Sequence, residues 1–304
     1  MNKIVILGCG YIGTNVANYI ATHYEEEIYV VGYKNEYVEY LNKKIQFKEI
    51  SIQDIDINNK DIFQDAICID ATGNINATSS SNIAGIKCLE NCMLKVQLIH
   101  KLYELNIKKY IFLSSGGTIY GDSLKRHKEN EKSNPLNVYA LEKTILEQFL
   151  NINYIENHDF NYLILRISNP YGGIVSPHKK QGIIDVTINK AIKGEVIDFY
   201  GDMDNVRDYI YIDDLSEAIY QLLISDKVNE VYNIGTGVGY SIREVFKQIE
   251  KTYNIKIKLK KCDAIKAINI RTNVLNIHKL KKDINFSPSI TLKEGIERIK
   301  NEKI

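Results

Sequence analysis

The chain has no tryptophan, four prolines and five cysteines, and nowhere a long apolar run. Cys9, Cys68, Cys88, Cys92 and Cys262 show no C-x-x-C spacing, and an odd number of thiols suits a reducing compartment, so a cytoplasmic location is expected and a disulfide framework is not. The histidines at 23, 100, 127, 158, 178 and 278 form no H-x-H or H-x-x-x-H pair, and no metal site is expected. Met1-Asn2-Lys3 leads into an apolar run at 4–7, too short for a signal-peptide core. No segment approaches the roughly 20 apolar residues of a membrane helix, so no membrane partner is expected. Charge is balanced as well: Lys plus Arg number 39 and Asp plus Glu 38. That balance argues against nucleic acid as a partner and requires any anion site to be local.

What is present is an ordinary globular composition, 44% hydrophobic and 25% charged over 304 residues, enough for one large domain and a smaller one. Tyrosine is abundant at 21, so no tyrosine is notable merely for being there. Nearly continuous apolar runs at 3–7, 28–31, 66–69, 110–113 and 162–165 read as parallel strands covered on both faces. Helical patterns at 11–23, 82–106 and 136–157 alternate with them. This alternation predicts an α/β fold with a doubly wound parallel sheet, a Rossmann fold. Further helices are predicted near 180–193, 213–225, 241–253 and 291–301, with a strand at 231–234. Within 82–106, Leu89, Met93, Val96 and Tyr103 make one apolar stripe, and Cys88, Cys92, Ile99 and Leu102 a second beside it. So wide a stripe implies burial on two sides, against the sheet and either another subunit or the rest of the chain.

Gly8-Cys9-Gly10-Tyr11-Ile12-Gly13 follows the first strand and opens the first helix. In that setting G-x-G-x-x-G permits a tight turn, close backbone approach to a pyrophosphate and tight helix–strand packing. The second strand runs into Val31-Gly32-Tyr33-Lys34, without the acid that commonly holds a ribose 2′-OH. Lys34 can either pair with a 2′-phosphate or be a solvated loop lysine; the missing acid leans the coenzyme, NAD or NADP, towards NADP. Tyr139-Ala140-Leu141-Glu142-Lys143 is Y-x-x-x-K at helical spacing, with both side chains on one face. An ammonium near a phenol stabilises the phenolate and makes a usable acid/base. Ser114-Ser115-Gly116-Gly117-Thr118-Ile119-Tyr120-Gly121 follows a parallel strand, where a hydroxyl faces the ligand crevice.

These segments, in this order, resemble the extended short-chain dehydrogenase/reductase family, in its NAD-dependent epimerase/dehydratase branch of sugar-nucleotide enzymes. The resemblance runs from LGCGYIG through Ala71-Thr72-Gly73, LSSGGTIYG, 135–143, LRISNPYGG (165–173), RDYIYIDDL (207–215) and VYNIGTG (231–237) to the Arg271…Leu292-Lys293-Glu294-Gly295 tail. It implies that Ser115, Tyr139 and Lys143 are catalytic. Counting from the strand gives Ser115, whereas counting back from Tyr120 gives Gly116. It implies coenzyme contacts from Gly8, Gly10, Tyr11, Ile12, Gly13, Lys34, Ala71, Thr72, Gly73, Tyr139 and Lys143. Thr118 and Asn169 are then expected at the sugar diphosphate, and Arg207 and Arg271 at the phosphates; Arg207 could instead pair with Asp208 on the surface. The sequence departs from the branch at Leu7, where a first glycine often stands, and at Ser51, where an Asp often contacts adenine.

The implied partners are a nucleoside-diphosphate sugar and a second copy of the chain, packed through the helices near 82–106 and 136–157. The implied division is a coenzyme domain over 1–165, to which 207–235 returns, and a substrate domain over 166–304. A sugar-nucleotide 4-epimerase is the expected activity, with an NADPH-dependent 4-keto-6-deoxyhexose reductase as the alternative. A 4,6-dehydratase is disfavoured because Gly116-Gly117 offers no acid/base beside the serine. A non-catalytic dinucleotide-binding scaffold would be marked by loss of Tyr139 or Lys143, and both are present.

Overall fold

The computed structural model describes residues 1–73, 82–156, 160–176, 178, 181–262 and 270–302. Ile4, Val5, Ile6 and Leu7 have no polar side chain among them and are wholly buried, so the first strand can lie only in the middle of a sheet covered on both faces. The chain runs β1 (Lys3–Leu7), α1 (Tyr11–His23), β2 (Glu27–Val31), β3 (Gln46–Lys48), α2 (Lys60–Phe63), β4 (Ile67–Asp70), α3 (Asn82–Glu104), β5 (Lys109–Ser115), α4 (Val138–Glu156) and β6 (Tyr162–Ile167). It continues through β7 (Asn169–Tyr171), α5 (Ile183–Ile192), β8 (Val196–Tyr200), β9 (Val206–Tyr211), α6 (Ile212–Ile224), β10 (Glu230–Ile234) and β11 (Gly239–Ser241). It closes with α7 (Ile242–Tyr253), β12 (Lys258–Cys262), β13 (Thr272–Asn273), α8 (His278–Ile284) and α9 (Leu292–Glu302).

Seven parallel strands form the central sheet in the order β10-β6-β5-β4-β1-β2-β3. This is the doubly wound architecture that the βα alternation predicts. On one face Val16, Ala17 and Ile20 of α1 meet Leu215 and Ile219 of α6 over Ile4, Ile6 and Leu165. On the other, Cys88, Cys92, Ile99 and Leu102 of α3 meet Leu146 and Leu150 of α4 over Val5, Cys68 and Phe112. The wide stripe on α3 is thereby divided: its cysteine side is buried, while Leu89, Met93 and Tyr103 stay 66%, 57% and 43% exposed. A second sheet, β11-β9-β13 with β7 beside β9, lies after β6 in sequence, and β8 pairs with β12 as a separate ribbon. Periodicity did not reveal β3, β7, β11 or β13, which have only two or three residues each, nor the longer β8, β9 and β12, which lack the continuous apolar run of the central strands. Among the described residues no helix is long and apolar enough to cross a membrane.

α4 is fixed at both ends of its first half. Asn137 Oδ1 accepts from Ala140 N at 2.7 Å before the first turn, a local N-cap. Glu147, 3% exposed, takes Arg166 of β6 through Nη2 at 2.6 Å and Nε at 3.2 Å, and accepts from Ser114 Oγ of β5 at 2.5 Å. Arg166 Nη1 also donates to Tyr120 Oη at 2.8 Å and to the Glu129 carbonyl at 2.9 Å, so little of its donor capacity is unused. Such a pair is costly to break from one side, because the remaining charge is left buried. Glu147→Gln is expected to lose about 3–5 kcal/mol in urea unfolding. Glu147→Leu combined with Arg166→Met is expected to recover much of that loss, and equal loss in the single and double variants would contradict the assignment.

Candidate active site

The glycine loop between β1 and α1 has three different steric demands. Gly8 has φ +100, and a Cβ there would lie 3.1 Å from the Ala71 backbone. A Cβ on Gly13 would lie 2.0 Å from the Gly8 carbonyl oxygen, which is the close helix–strand approach that the third glycine of such a loop allows. At Gly10 a Cβ would meet nothing within 4 Å, because this glycine faces open space. No side chain caps the first turn of α1, so its N–H groups and positive dipole end face the same space. The residues present therefore fit a dinucleotide pyrophosphate.

Two cavities meet along this loop. One, of about 270 Å³, is lined by Gly8, Gly10, Gly32, Tyr33, Asn35 and Gln53 among others, and has the residues 71–73 as a wall. Asn35 Nδ2 donates to the Cys9 carbonyl at 2.7 Å and so braces the glycine loop from the end of β2. Tyr33 Oη pairs with Ser51 Oγ at 2.9 Å. Lys34 is exposed and outside the cavity wall. The second cavity, of about 630 Å³, shares Gly10 and residues 71–73 and brings together Tyr11, Ile12, Ser115, Thr118, Tyr139, Lys143 and Asn169.

At the end of β5 the two serines part company. Both line the larger cavity, but the buried Ser114 hydroxyl is taken up by Glu147, whereas Ser115 accepts from Thr118 Oγ1 at 2.9 Å. A Cβ on Gly116 would lie 2.7 Å from Leu275 Cδ1 and 2.9 Å from the Arg166 carbonyl oxygen, so this position points into packed protein. Of the two alignments of this loop, geometry favours Ser115. The Tyr139 phenol is pushed up by burial, with the Ser115 hydroxyl pulling the other way and Glu142 adding to the rise. Lys143 Nζ donates to the Leu113 carbonyl at 3.0 Å and lies against ring faces, 4.7 Å from the centroid of Phe112 and 5.8 Å from that of Tyr139. Burial holds the Lys143 ammonium below the usual lysine range.

Asn169 Nδ2 donates to the Asp208 carbonyl at 2.8 Å, which ties β7 to β9 where a smaller cavity of about 250 Å³ adjoins the larger one. Arg207 lines that smaller cavity with Tyr209 and Ile242. Its guanidinium donates to the carbonyls of Val206, Arg271 and Ile270 at 2.8, 3.3 and 2.7 Å. The surface pairing of Arg207 with Asp208 is excluded. Asp208 is wholly buried and accepts from Thr236 N, Thr236 Oγ1 and Gly237 N at 2.8, 2.8 and 3.0 Å. Burial pushes its carboxyl up, against those hydrogen bonds. Arg271 is exposed and lines neither of these cavities; its backbone carbonyl accepts from Arg207 Nη1 at 3.3 Å and from Val206 N at 2.7 Å.

Several lining residues escaped the sequence reading. Lys95 and Asn91 of α3 and Glu142 of α4 line the smaller coenzyme-side cavity, with Asn91 Nδ2 donating to Glu142 at 3.1 Å. Lys95 shares its helix face with Cys92 and Ile99, and a lysine set into a buried stripe is the signal that could have found it. His178 and Gln181 line the larger cavity.

Residues 4–235 match the NAD dependent epimerase/dehydratase family. A candidate UDP-glucose 4-epimerase of Methanocaldococcus jannaschii is 29% identical over 304 residues, covering 98% of this chain and 97% of that protein. The dTDP-4-dehydro-6-deoxyglucose reductase of Escherichia coli is 34% identical over 212 residues, covering 70% of this chain and 66% of the reductase. Among solved structures, UDP-glucose 4-epimerase of Thermotoga maritima with UDP-glucose superposes with a TM-score of 0.87 at 27% identity, over 98% of this chain and 97% of that one. With the glycine loop, the Y-x-x-x-K helix and the sheet order in agreement with that match, the chain belongs to the NAD-dependent epimerase/dehydratase family of enzymes.

Proposed function

We propose that the protein is a sugar-nucleotide 4-epimerase acting on a nucleoside-diphosphate hexose. The observation that carries this reading is the single cavity in which Ser115, Tyr139 and Lys143 stand beside the glycine loop on one side and Asn169 on the other. Likeness along the whole chain to a UDP-glucose 4-epimerase supports it. The glycine loop, residues 71–73, Tyr139 and Lys143 would hold a nicotinamide dinucleotide, and the chemistry that group would supply is reversible hydride transfer at the sugar C4. Tyr139 takes the proton of the 4-hydroxyl, with Ser115 as its hydrogen-bond partner, and gives it back. Thr118 fixes the Ser115 hydroxyl, Asn169 borders the sugar diphosphate, and Arg207 faces the nucleotide end. Residues 1–165 with 207–235 make the coenzyme domain in this reading, and the rest of 166–304 the substrate domain.

A second reading, reduction of a nucleotide-linked 4-keto-6-deoxyhexose with NADPH, is favoured by the E. coli reductase relative at 34% identity. It is favoured too by the end of β2, where Gly32, Tyr33 and Asn35 place no carboxylate against a 2′-phosphate. A non-catalytic scaffold is opposed by the three reactive side chains kept in one cavity. Leu89, Met93 and Tyr103 of α3 and Leu141 and Ile152 of α4 are exposed apolar side chains on two helices that pack together, which suits a second copy of the chain as partner.

Two measurements test these readings. A panel of sugar nucleotides is expected to show interconversion of UDP-glucose and UDP-galactose, or of their N-acetyl forms, without added NADPH. Tyr139→Phe is expected to slow it by roughly two to four powers of ten with coenzyme still bound. No UDP-hexose conversion, together with 4-keto sugar reduction matched by NADPH loss, establishes the reductase instead. Separately, NADPH is expected to bind coenzyme-free protein at least as tightly as NADH, because no carboxylate repels the 2′-phosphate. A clear preference for NADH would overturn the lean towards NADP.

A further inference from the structure

Asp70 ends β4 inside the protein, 1% exposed, and its carboxylate is fully occupied. Lys95 Nζ donates to both of its oxygens and to Thr72 Oγ1. Tyr110 Oη donates to it at 2.6 Å, and Thr72 N and Oγ1 at 3.0 and 2.7 Å. In the sheet Asp70 stands in register with Phe112, so the two side chains leave the same face. Lys143 Nζ lies over that Phe112 ring. Two buried ammonium groups, 5% exposed each as residues, thus share one strip of sheet face with the Asp70 carboxylate.

We infer that Lys95 is a positioning residue of the site: by occupying Asp70 it leaves the Lys143 ammonium on the Leu113 carbonyl, against Tyr139, instead of in an ion pair at the end of β4. A buried carboxylate without a cation is costly and draws in whatever cation is near. Here Lys143, whose Nζ lies over the Phe112 ring in register with Asp70, is the other buried ammonium on that face. The groups that face Lys143 are Asp70 from β4, Lys95 and Cys92 from α3, and Glu142, Glu147 and Tyr139 from its own helix. The same clamp holds Thr72, which walls both cavities, so the pair also fixes the wall against which a coenzyme would rest. The inference rests on reading Tyr139 and Lys143 as the reacting pair, but its structural content can be tested without turnover.

The test is a pH titration followed by NMR on protein carrying 13Cε-labelled lysine, with the Lys143 signal identified by its loss in Lys143→Met. Burial keeps this ammonium low, and Asp70 acts to raise it. Lys95→Met removes a repelling cation and frees the carboxylate, two effects of the same sign. The Lys143 midpoint is therefore expected to rise by about one pH unit or more. Asp70→Asn combined with Lys95→Met removes both charges and is expected to return the midpoint to the parent value. Lys95→Gln, whose amide can still donate to Asp70, gives the same reading as Lys95→Met should the latter not fold. An unmoved midpoint when Lys95 alone is replaced, or a shift that persists in the double variant, overturns the inference. Full activity of Tyr139→Phe would instead overturn the catalytic reading and leave this titration to stand alone.

Discussion

The buried pair of Arg166 and Glu147 is the constraint on which the rest of the site depends. Arg166 lies near the carboxyl end of β6 and Glu147 one helical turn beyond Lys143 on α4, and Ser114 of β5 donates into the same carboxylate. Three elements are thereby held in one orientation behind the cavity. The neighbours of this network are residues of the proposed site: Ser115 follows Ser114, Asn169 follows Arg166 by three residues, and Lys143 precedes Glu147 by four. A charge pair with 7% and 4% of its side chains exposed must satisfy its donors to repay desolvation. Arg166 does so through Tyr120 and the Glu129 carbonyl, which brings the loop after β5 into the same unit.

The front of the cavity is held by backbone rather than by charge. Asn15 of α1 donates to the Ile174 carbonyl at 2.9 Å and accepts from its N–H at 2.8 Å. Gly172 and Gly173, at φ +85 and +64, let the chain after β7 turn close enough for this. A Cβ on Gly173 would come within 2.4 Å of the Asn15 side chain. Tyr11 Oη reaches the Gly172 carbonyl at 2.9 Å from the first turn of the same helix. The helix that offers its N-terminus to a pyrophosphate is thus the helix that receives the substrate-side turn, and the two cavities are registered to each other through α1.

Much of this was legible in the sequence because it is local. The apolar run before Gly8, the spacing of Gly8, Gly10 and Gly13, and Tyr139 four residues before Lys143 all specify geometry within a few residues. The strands paired over two or three residues were not legible, nor were features that depend on distant partners. Asp70 and Lys95 lie 25 residues apart and meet only when α3 packs on the sheet. Asp208 reads as a surface partner for Arg207 until β9 is seen to turn it inward to Thr236 and Gly237. The choice between Ser115 and Gly116 likewise required Leu275, which follows them by about 160 residues and closes over the glycine.

The proposed chemistry requires that a coenzyme bound beside Tyr139 would give back to the same sugar the hydride taken from it, and this internal return is its core. The most direct measurement uses a nucleoside-diphosphate hexose deuterated at C4, incubated with the enzyme in ordinary water and excess unlabelled coenzyme. Retention of deuterium at C4 in the epimer is the expected result. An epimer carrying protium at C4, drawn from solvent or from the free coenzyme pool, would contradict it.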